Sequence, residues 1–171
     1  MKTILDKYQM GLTIQRLCRQ LLEDHEDFST TVFIGLQPRG IFFSDRIIRE
    51  LKLIVTGQEF QYGKLDITFY RDDLRKELHI ANQTDIPFSI EGKVVILIDD
   101  VLYTGRTIRA ALDALLDFGR PSKVALCTLI DRRFSRELPI QPDYCGKAID
   151  SIFSEKVKVD GEAEQVVLIE Q

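Results

Sequence analysis

An uninterrupted apolar run that ends in two aspartates constrains the fold of this chain more than any other feature. Residues 94–98 are all valine, isoleucine or leucine, without the polar alternation of a half-exposed strand. Such a run is typical of a strand buried on both faces of a parallel sheet, which places the chain in the α/β class. Asp99 and Asp100 follow directly, and open α/β sheets bind ligands at the carboxyl ends of their strands. Because two buried carboxylates need partners, we expect a cation, a sugar diol or a basic group beside them.

A short glycine-containing turn and a helix come next in the chain. Thr104, Gly105, Arg106 and Thr107 supply a flexible backbone and side-chain donors. Apolar residues at positions 108, 111, 112, 115 and 116 predict an amphipathic helix directly after them. The unpaired N–H groups at a helix N-terminus favour an anion such as phosphate, so carboxylates beside this turn indicate a phosphorylated sugar as the ligand. The alternative is that the aspartates only cap the helix and the turn is an ordinary loop.

The order of strand, turn and helix also occurs earlier in the chain and predicts a second anion site. Residues 31–36 form an apolar strand pattern, and Gln37, Pro38, Arg39 and Gly40 form the turn that follows it. An amphipathic helix is predicted from Ile41 to about Leu53. The other predicted elements are a first helix with an Asp6–Gln9 capping box, strands at residues 64–70, 122–130, 156–159 and 165–169, and a long polar loop at residues 71–92.

Composition fits a single domain in a reducing compartment. A chain of 171 residues, 44% of them hydrophobic, is long enough for one buried core and short for two. The three cysteines have neither metal-site nor disulfide spacing, which predicts free buried thiols. We find no leader pattern and no run long enough to cross a bilayer, so a cytoplasmic location is expected. The net charge of -4 argues against generic nucleic-acid binding but leaves room for a local basic patch.

Residues 94–106 resemble the signature of type I phosphoribosyltransferases for phosphoribosyl diphosphate (PRPP). The shared pattern is an apolar run, an acid pair and a phosphate turn of small residues. Three further runs, residues 66–74, 119–122 and 136–140, extend the resemblance over nearly the whole chain to a narrower family, the PyrR proteins. These are bifunctional proteins that act as pyrimidine-operon attenuators and as uracil phosphoribosyltransferases.

The resemblance implies one domain over residues 1–171 with the type I phosphoribosyltransferase fold. This α/β fold has a central, mostly parallel sheet flanked by helices, a flexible lid loop, and a small hood built from the two chain ends, here mainly residues 132–171. The implied reaction converts uracil and PRPP to UMP and diphosphate. Mg²⁺ is the implied cofactor, bound mainly through PRPP, with Asp99 or Asp100 as candidate protein contacts. A homodimer or larger homo-oligomer is the implied assembly.

The resemblance also assigns roles to individual residues. Asp99, Asp100 and the lid residue Arg71 are expected to be catalytic. The residues expected to bind substrate lie in the phosphate turn, the diphosphate turn, the exit of the 122–130 strand and the base pocket: Tyr103, Thr104, Gly105, Arg106, Thr107, Gln37, Pro38, Arg39, Gly40, Asp131, Arg132, Tyr144, Lys156 and Val157. Gln37 and Pro38 depart from the family pattern, because relatives commonly carry a basic residue and a threonine there. Proline also removes one N–H donor from the diphosphate turn.

Two other functions are compatible with parts of the pattern. One is a UMP-sensing regulator that binds the leader of pyrimidine-gene mRNA, for which Arg16, Arg19, Arg136 and Lys147 are candidate phosphate contacts. The other is a receiver domain in which the acid pair accepts a phosphoryl group. Receivers usually have the acid pair on their first strand and need a further strand-end aspartate and a later lysine, so this hypothesis explains less of the sequence.

Overall fold

The computed structural model describes residues 1–25, 28–72 and 81–170. Within these ranges the chain forms helices, strands and one 3₁₀ turn. Their bounds in chain order are β1 Lys2–Leu5, α1 Lys7–Asp24, β2 Thr31–Gln37, α2 Gly40–Ile54, β3 Gln61–Asp66, the 3₁₀ turn Thr68–Tyr70, β4 Val94–Leu102, α3 Arg106–Leu115, β5 Lys123–Arg133, β6 Tyr144–Asp150, β7 Glu155–Asp160 and β8 Gln165–Glu170. The predicted lid loop, residues 71–92, is described except for residues 73–80.

The main sheet has five strands in the order β3-β2-β4-β5-β6, and every neighbouring pair is parallel. Strand β3 follows β2 in the chain and lies on the side of β2 away from β4. Strand β5 follows β4 and lies on the side of β4 away from β2. Strand order therefore reverses between β2 and β4, and a crevice at such a reversal is where open parallel sheets bind ligands.

Apolar residues cover both faces of this sheet, which explains the absence of polar alternation in β2 and β4. Helices α1 and α2 pack on one face through residues such as Leu17 and Phe43. Helix α3 packs on the other face through Ile108 and Ala111. The predicted capping box is present at the start of α1, where the Asp6 carboxylate accepts the N–H of Gln9 at 2.8 Å.

A second, antiparallel sheet joins the two ends of the chain in the order β1-β8-β7. Its buried residues Ile4, Val157 and Val166 belong to the same apolar cluster as α1 and α2, so it packs directly on the main domain. The predicted hood, mainly residues 132–171, includes β7 and β8 of this sheet, whereas residues 144–150 form β6 and pair with β5 in the main sheet.

Several strand boundaries differ from the prediction. Strand β4 continues to Leu102 because it stays paired with β5 that far, and β5 continues to Arg133 because it stays paired with β6. The predicted strand at residues 64–70 ends early at Asp66. There the Asp66 carboxylate accepts the N–H and the hydroxyl of Thr68 at 2.8 and 2.6 Å, which turns the chain into the 3₁₀ helix.

Candidate functional site

The two predicted aspartates lie where β4 separates from β2. The pairing of these strands ends at Gly35 and Ile98, whereas β4 stays paired with β5 for four more residues. Asp99 and Asp100 are therefore on the last part of β4, beyond its pairing with β2, rather than in a loop after the strand. The extended strand fixes their backbone, which a loop would leave adjustable.

Both carboxyl groups are nearly buried, with exposed fractions of 6% for Asp99 and 8% for Asp100. Oδ1 of Asp99 accepts the N–H of Asp100 at 3.0 Å. Burial, and then the neighbouring Asp100 carboxylate, raises the pKa of Asp99, and burial raises the pKa of Asp100. The positive charge of Arg39 opposes both shifts. Two buried carboxyl groups side by side are stabilised by a cation or by hydroxyl donors, which are the partners expected from the sequence.

The diphosphate turn is in direct contact with this pair through Gly40. A Cβ atom at Gly40 would lie 2.8 Å from the carbonyl oxygen of Ile98 and 3.1 Å from Oδ1 of Asp99. Only glycine allows the start of α2 to approach β4 so closely. Helix α2 begins at Gly40, and Arg39 is at its N-cap. The N-terminus of a 15-residue helix therefore lies beside the acid pair.

Gln37 connects the diphosphate turn to the middle of the long loop, residues 71–92. Its Nε2 donates to the carbonyl oxygen of Gln83 at 3.1 Å, and its Oε1 is buried without a hydrogen-bond partner in the described structure. The peptide bond between Gln37 and Pro38 is cis, and Pro38 is exposed. The buried Oε1 is an acceptor that a substrate or a water can satisfy.

The phosphate turn has the conformation that its sequence predicts. Gly105 has a φ of 94°, in the left-handed region that favours glycine, and α3 begins at the next residue. Oγ1 of Thr104 accepts the N–H of Arg106 at 3.3 Å. The carbonyl oxygen of Thr104 accepts the N–H groups of Glu137 and Leu138 at 2.9 and 3.2 Å. Hydrogen bonds from the segment after β5 therefore fix the backbone of the turn.

Arg106 is on this turn, but its guanidinium already has carboxylate partners. Its Nε lies 2.6 Å from Glu137 Oε2, and its Nη1 lies 3.1 Å from Asp72 Oδ2. Arg109 contacts the same Asp72 oxygen at 3.1 Å. The backbone N–H groups and threonine hydroxyls of the turn are thus better placed than the Arg106 side chain to bind a phosphate. Neither Asp72 nor Glu137 was predicted, because the two residues are far from the turn in sequence.

Arg136 links the end of β5 to the backbone next to this turn. Arg136 Nη1 donates to the carbonyl oxygen of Tyr103 at 2.6 Å, its Nε donates to that of Ile140 at 2.8 Å, and its Nη2 forms an ion pair with Asp131. Arg136 was predicted to bind RNA, and the structure instead directs its guanidinium inward. Asp131 and Arg132 lie within β5 and are both buried, and the Arg132 guanidinium lies over the ring of Tyr103.

The predicted base-pocket residues lie on two strands. Val157 is buried on β7 and Lys156 is exposed on the same strand. Tyr144 begins β6, where it is in register with Cys127 of β5 and, through that strand, with Ile98 of β4. Its hydroxyl donates to Asp24 in the last turn of α1 at 2.7 Å, so this hydroxyl is engaged with the helix, and a role of Tyr144 in the base pocket stays a prediction.

Exposed apolar side chains at the carboxyl ends of β5 and β6 indicate a binding surface. Phe134 and Phe153 are each 86% exposed and Ile152 is 66% exposed. They follow the carboxyl ends of β5 and β6. Phe134 also has a φ of 64°, which is uncommon for a bulky residue. The sequence shows these residues as apolar, but only the fold shows that they remain exposed.

The other basic residues proposed for RNA are not gathered on one open surface. Arg16 Nη2 donates to the carbonyl oxygen of Cys145 at 3.3 Å, and Lys147 Nζ donates to that of Ile4 at 2.9 Å. These contacts attach β6 to α1 and to β1. Arg19 is exposed on α1. Of the four candidates, Arg19 is thus the one whose side chain points to solvent without a backbone contact in the described structure.

Asp66 is a further residue that the sequence reasoning missed. Besides Thr68, its carboxylate accepts the N–H of Asn82, and its own N–H donates to Thr84 at 3.0 Å. One buried aspartate therefore binds both the 3₁₀ turn before the long loop and residues 82 and 84 within it. An aspartate two residues before a threonine at a strand end is a recognisable Asx-turn signal. Arg71 follows the 3₁₀ turn and is half-buried at the start of the same loop.

The described residues contain no cluster of three histidine, cysteine or carboxylate side chains that could bind a metal ion. Asp99 and Asp100 do offer the oxygen ligands that Mg²⁺ prefers, and such an ion commonly takes one or two carboxylates together with substrate phosphates and water. The acid pair therefore fits a metal brought mainly by the substrate. In the described part of the chain, no helix is long and apolar enough to cross a membrane.

Comparison with known proteins assigns the chain to a family. Residues 1–164 match the phosphoribosyl transferase domain family. Proteins named "Bifunctional protein PyrR" are 45% identical in Elusimicrobium minutum, over 98% of this chain and 97% of that protein, and 46% identical in Latilactobacillus sakei, over 92% and 89%.

Solved structures show the same fold. A hypoxanthine phosphoribosyltransferase of Staphylococcus aureus has a TM-score of 0.70 at 23% identity, over 90% of this chain and 80% of that one. The Trypanosoma cruzi enzyme in complex with IMP has a TM-score of 0.74 at 18% identity, over 99% and 90%. The predicted type I phosphoribosyltransferase fold is confirmed. The chain belongs to the phosphoribosyltransferase family and, within it, to the PyrR proteins.

Proposed function

We propose that this protein transfers the phosphoribosyl group of PRPP to uracil, forming UMP and diphosphate. The observation that carries the proposal is the position of the acid pair. Asp99 and Asp100 are buried between the N-terminus of α2, which Gly40 brings against them, and the turn that begins α3. Two anion-binding helix starts on either side of two carboxylates suit a sugar that carries a phosphate at one end and a diphosphate at the other.

The reaction breaks the bond from ribose C1 to diphosphate and forms a bond from C1 to a base nitrogen. Positive charge develops on the sugar ring in between. The residues would act mainly by position and charge: the turn at residues 104–107 fixes the 5′-phosphate, and Asp99 and Asp100 accept hydrogen bonds from the ribose hydroxyls and stabilise the ring cation. Because consecutive residues of β4 point to opposite faces, the two aspartates have different roles.

The leaving diphosphate needs positive charge and N–H donors. Arg39 and the backbone at the start of α2 supply both, and the missing N–H of Pro38 reduces the number of donors. Bound Mg²⁺ would neutralise part of the charge on the diphosphate oxygens. Arg71 lies at the beginning of the loop that borders the site and remains a proposed further cation for this step.

Uracil as acceptor base is supported by the kinship with PyrR proteins rather than by a side chain that reads the base. Backbone groups of the segment between β6 and β7 can provide the donors and acceptors that a pyrimidine requires. Residues 151–155 contain exposed Ile152 and Phe153, which offer an apolar surface to a flat ring. Hypoxanthine is the substrate named for several structural relatives, so the acceptor must be tested directly.

The decisive experiment measures nucleotide formation from PRPP and Mg²⁺ with uracil, hypoxanthine, guanine or orotate. We expect UMP from uracil and little product from the purines or orotate. Asp100→Asn and Thr104→Ala are each expected to reduce turnover on the order of 100-fold, since each removes a contact to the reacting sugar or its anchor. Asp113→Asn, an exposed carboxylate on α3, is the matched control and should be near wild type. Absence of UMP, or full activity in both site variants, would refute the proposal.

A second role, UMP-dependent RNA binding, is favoured by the word "bifunctional" in the names of the relatives. Of the four candidate cations, Arg16, Arg136 and Lys147 bind backbone carbonyl groups, so Arg19 is the strongest remaining candidate contact. Titration of a labelled pyrimidine-leader RNA with and without UMP tests this role. We expect tighter binding with UMP and weaker binding for Arg19→Ala. RNA binding that is unaffected by UMP would rule out a sensor.

A further inference from the structure

The guanidinium of Arg132 is bound to other parts of the protein rather than directed to an open substrate site. It is only 5% exposed. Its Nε donates to Ser151 Oγ at 2.8 Å, and its Nη2 donates to the carbonyl oxygens of Ile152 and Glu155 at 3.2 and 2.9 Å. The guanidinium carbon also lies 4.0 Å from the ring centroid of Tyr103. One side chain therefore links the phosphate turn to the segment between β6 and β7.

That segment is itself closed into a turn. The N–H of Glu155 donates to the carbonyl oxygen of Ile152 at 3.1 Å, and Glu155 Oε2 accepts the N–H of Ile152 at 2.8 Å. Arg132 binds the carbonyl groups at both ends of this turn. Phe153 at its tip is 86% exposed, so the turn presents an apolar ring to solvent on a fixed backbone.

The partners of this buried cation are informative. They are two carbonyl groups, a hydroxyl and an aromatic face, all of them neutral. Burying a guanidinium is costly unless its donors are satisfied in good geometry. The planar fork of arginine can satisfy several acceptors and stack on a ring at the same time, which the point charge of lysine cannot do. The contacts thus require arginine itself rather than a positive charge.

We propose that Arg132 is a positioning residue that sets the distance between the base-binding turn, residues 151–155, and the 5′-phosphate turn, residues 103–107. This inference rests on the proposed transferase function. A base must approach ribose C1 at a fixed separation from the phosphate anchor, and a displacement of about 1 Å can cost about 100-fold in rate.

The two turns do not depend on Arg132 equally. The phosphate turn has independent support, because Arg136 binds the carbonyl oxygen of Tyr103 and the N–H groups of Glu137 and Leu138 bind that of Thr104. The base-binding turn has its internal hydrogen bonds and Arg132. Loss of Arg132 should therefore affect recognition of the base more than recognition of the phosphate.

The test compares Arg132→Lys with Arg133→Lys, a neighbouring arginine whose exposed side chain pairs with Asp150 on the surface. For Arg132→Lys we expect the KM for uracil to rise about tenfold or more, the equivalent of one lost charge-assisted hydrogen bond, while the KM for PRPP stays within about twofold. Arg133→Lys should leave both constants unchanged. Ser151→Ala, which removes one acceptor, should give a smaller change in the same direction.

Two further measurements do not depend on turnover. UMP occupies both turns and ribose 5-phosphate only one, so Arg132→Lys should weaken binding of UMP and not of ribose 5-phosphate. Amide hydrogen exchange at Ile152 and Glu155 should become faster in the same variant without any ligand. If the wild-type protein forms no UMP, the transferase proposal fails, and the exchange rates still decide the role of Arg132. Equal losses for both ligands, or unchanged exchange, would overturn the inference.

Discussion

Gly40→Ala is the substitution for which the structure gives the clearest expectation. The added Cβ would lie 2.8 Å from the carbonyl oxygen of Ile98 and 3.1 Å from both Cα and Oδ1 of Asp99. Two of these three atoms belong to the backbone of β4, which is buried and paired with β5, so they cannot move aside as a flexible side chain would. The start of α2 must instead move away from the acid pair.

The size of the effect follows from this geometry. Forcing one methyl group into a packed contact typically costs about 1–3 kcal/mol. For a chain of 171 residues this corresponds to a fall in Tm of about 2–4 °C per kcal/mol. Because the displaced helix start and Asp99 are both expected to contact PRPP, a shift of about 1 Å should also reduce turnover by about 100-fold.

Gly11→Ala is the matched control, since a Cβ at Gly11 meets no atom within 4 Å and the residue lies inside α1. Alanine is the better helix former by roughly 0.5–1 kcal/mol, so this variant should be slightly more stable and fully active. The assays are thermal unfolding, PRPP binding and UMP formation. Wild-type PRPP affinity and turnover in Gly40→Ala would refute the argument that the close approach of α2 to Asp99 builds the site.

Three further predictions concern other residues. Burial lowers the pKa of His25 below its ordinary value of 6.5. The stability that this group contributes is therefore present above pH 6.5 and is lost as the pH falls through the folded-state pKa. An NMR titration of the imidazole checks the direction of the pKa shift. Asp72→Asn removes a carboxylate from Arg106, so PRPP binding at low salt should tighten by no more than about fivefold, and the gain should vanish in high salt, as calorimetric titrations can show. Tyr144→Phe should cost about 1 kcal/mol in urea unfolding, because the bond to Asp24 is lost, and should leave the KM for uracil unchanged; a raised KM would instead support the assignment of Tyr144 to the base pocket.

Sequence reasoning was most successful where chemistry and local geometry coincide in a short stretch. The unbroken apolar run of β4 predicted a strand buried on both faces, and the glycine and the amphipathic pattern after the acid pair predicted a turn followed at once by a helix. These features depend on neighbours within a few residues, so they can be recognised without the fold. The capping box of α1 was predictable for the same reason.

Strand β6 was missed because its pattern is weak. Most of its residues are half-buried or exposed, since it is the edge strand of the main sheet and is covered on one face by α1. The contact of Tyr144 could not be predicted for a related reason. An aromatic residue in a turn-rich segment suggests the wall of a pocket, but only the pairing of β6 with β5 and the packing of α1 show that the Tyr144 hydroxyl binds Asp24.

The sequence by itself determined the α/β class, the phosphate turn, the acid pair and the kinship with phosphoribosyltransferases, because each depends on residues that are close together in the chain. Only the tertiary structure decided which side chains share the site. It placed Gly40 against Asp99, paired Arg106 with Asp72 and Glu137, and buried Arg132 between two turns. Contacts of this kind join residues tens of positions apart, and only strand order and register determine which of them meet.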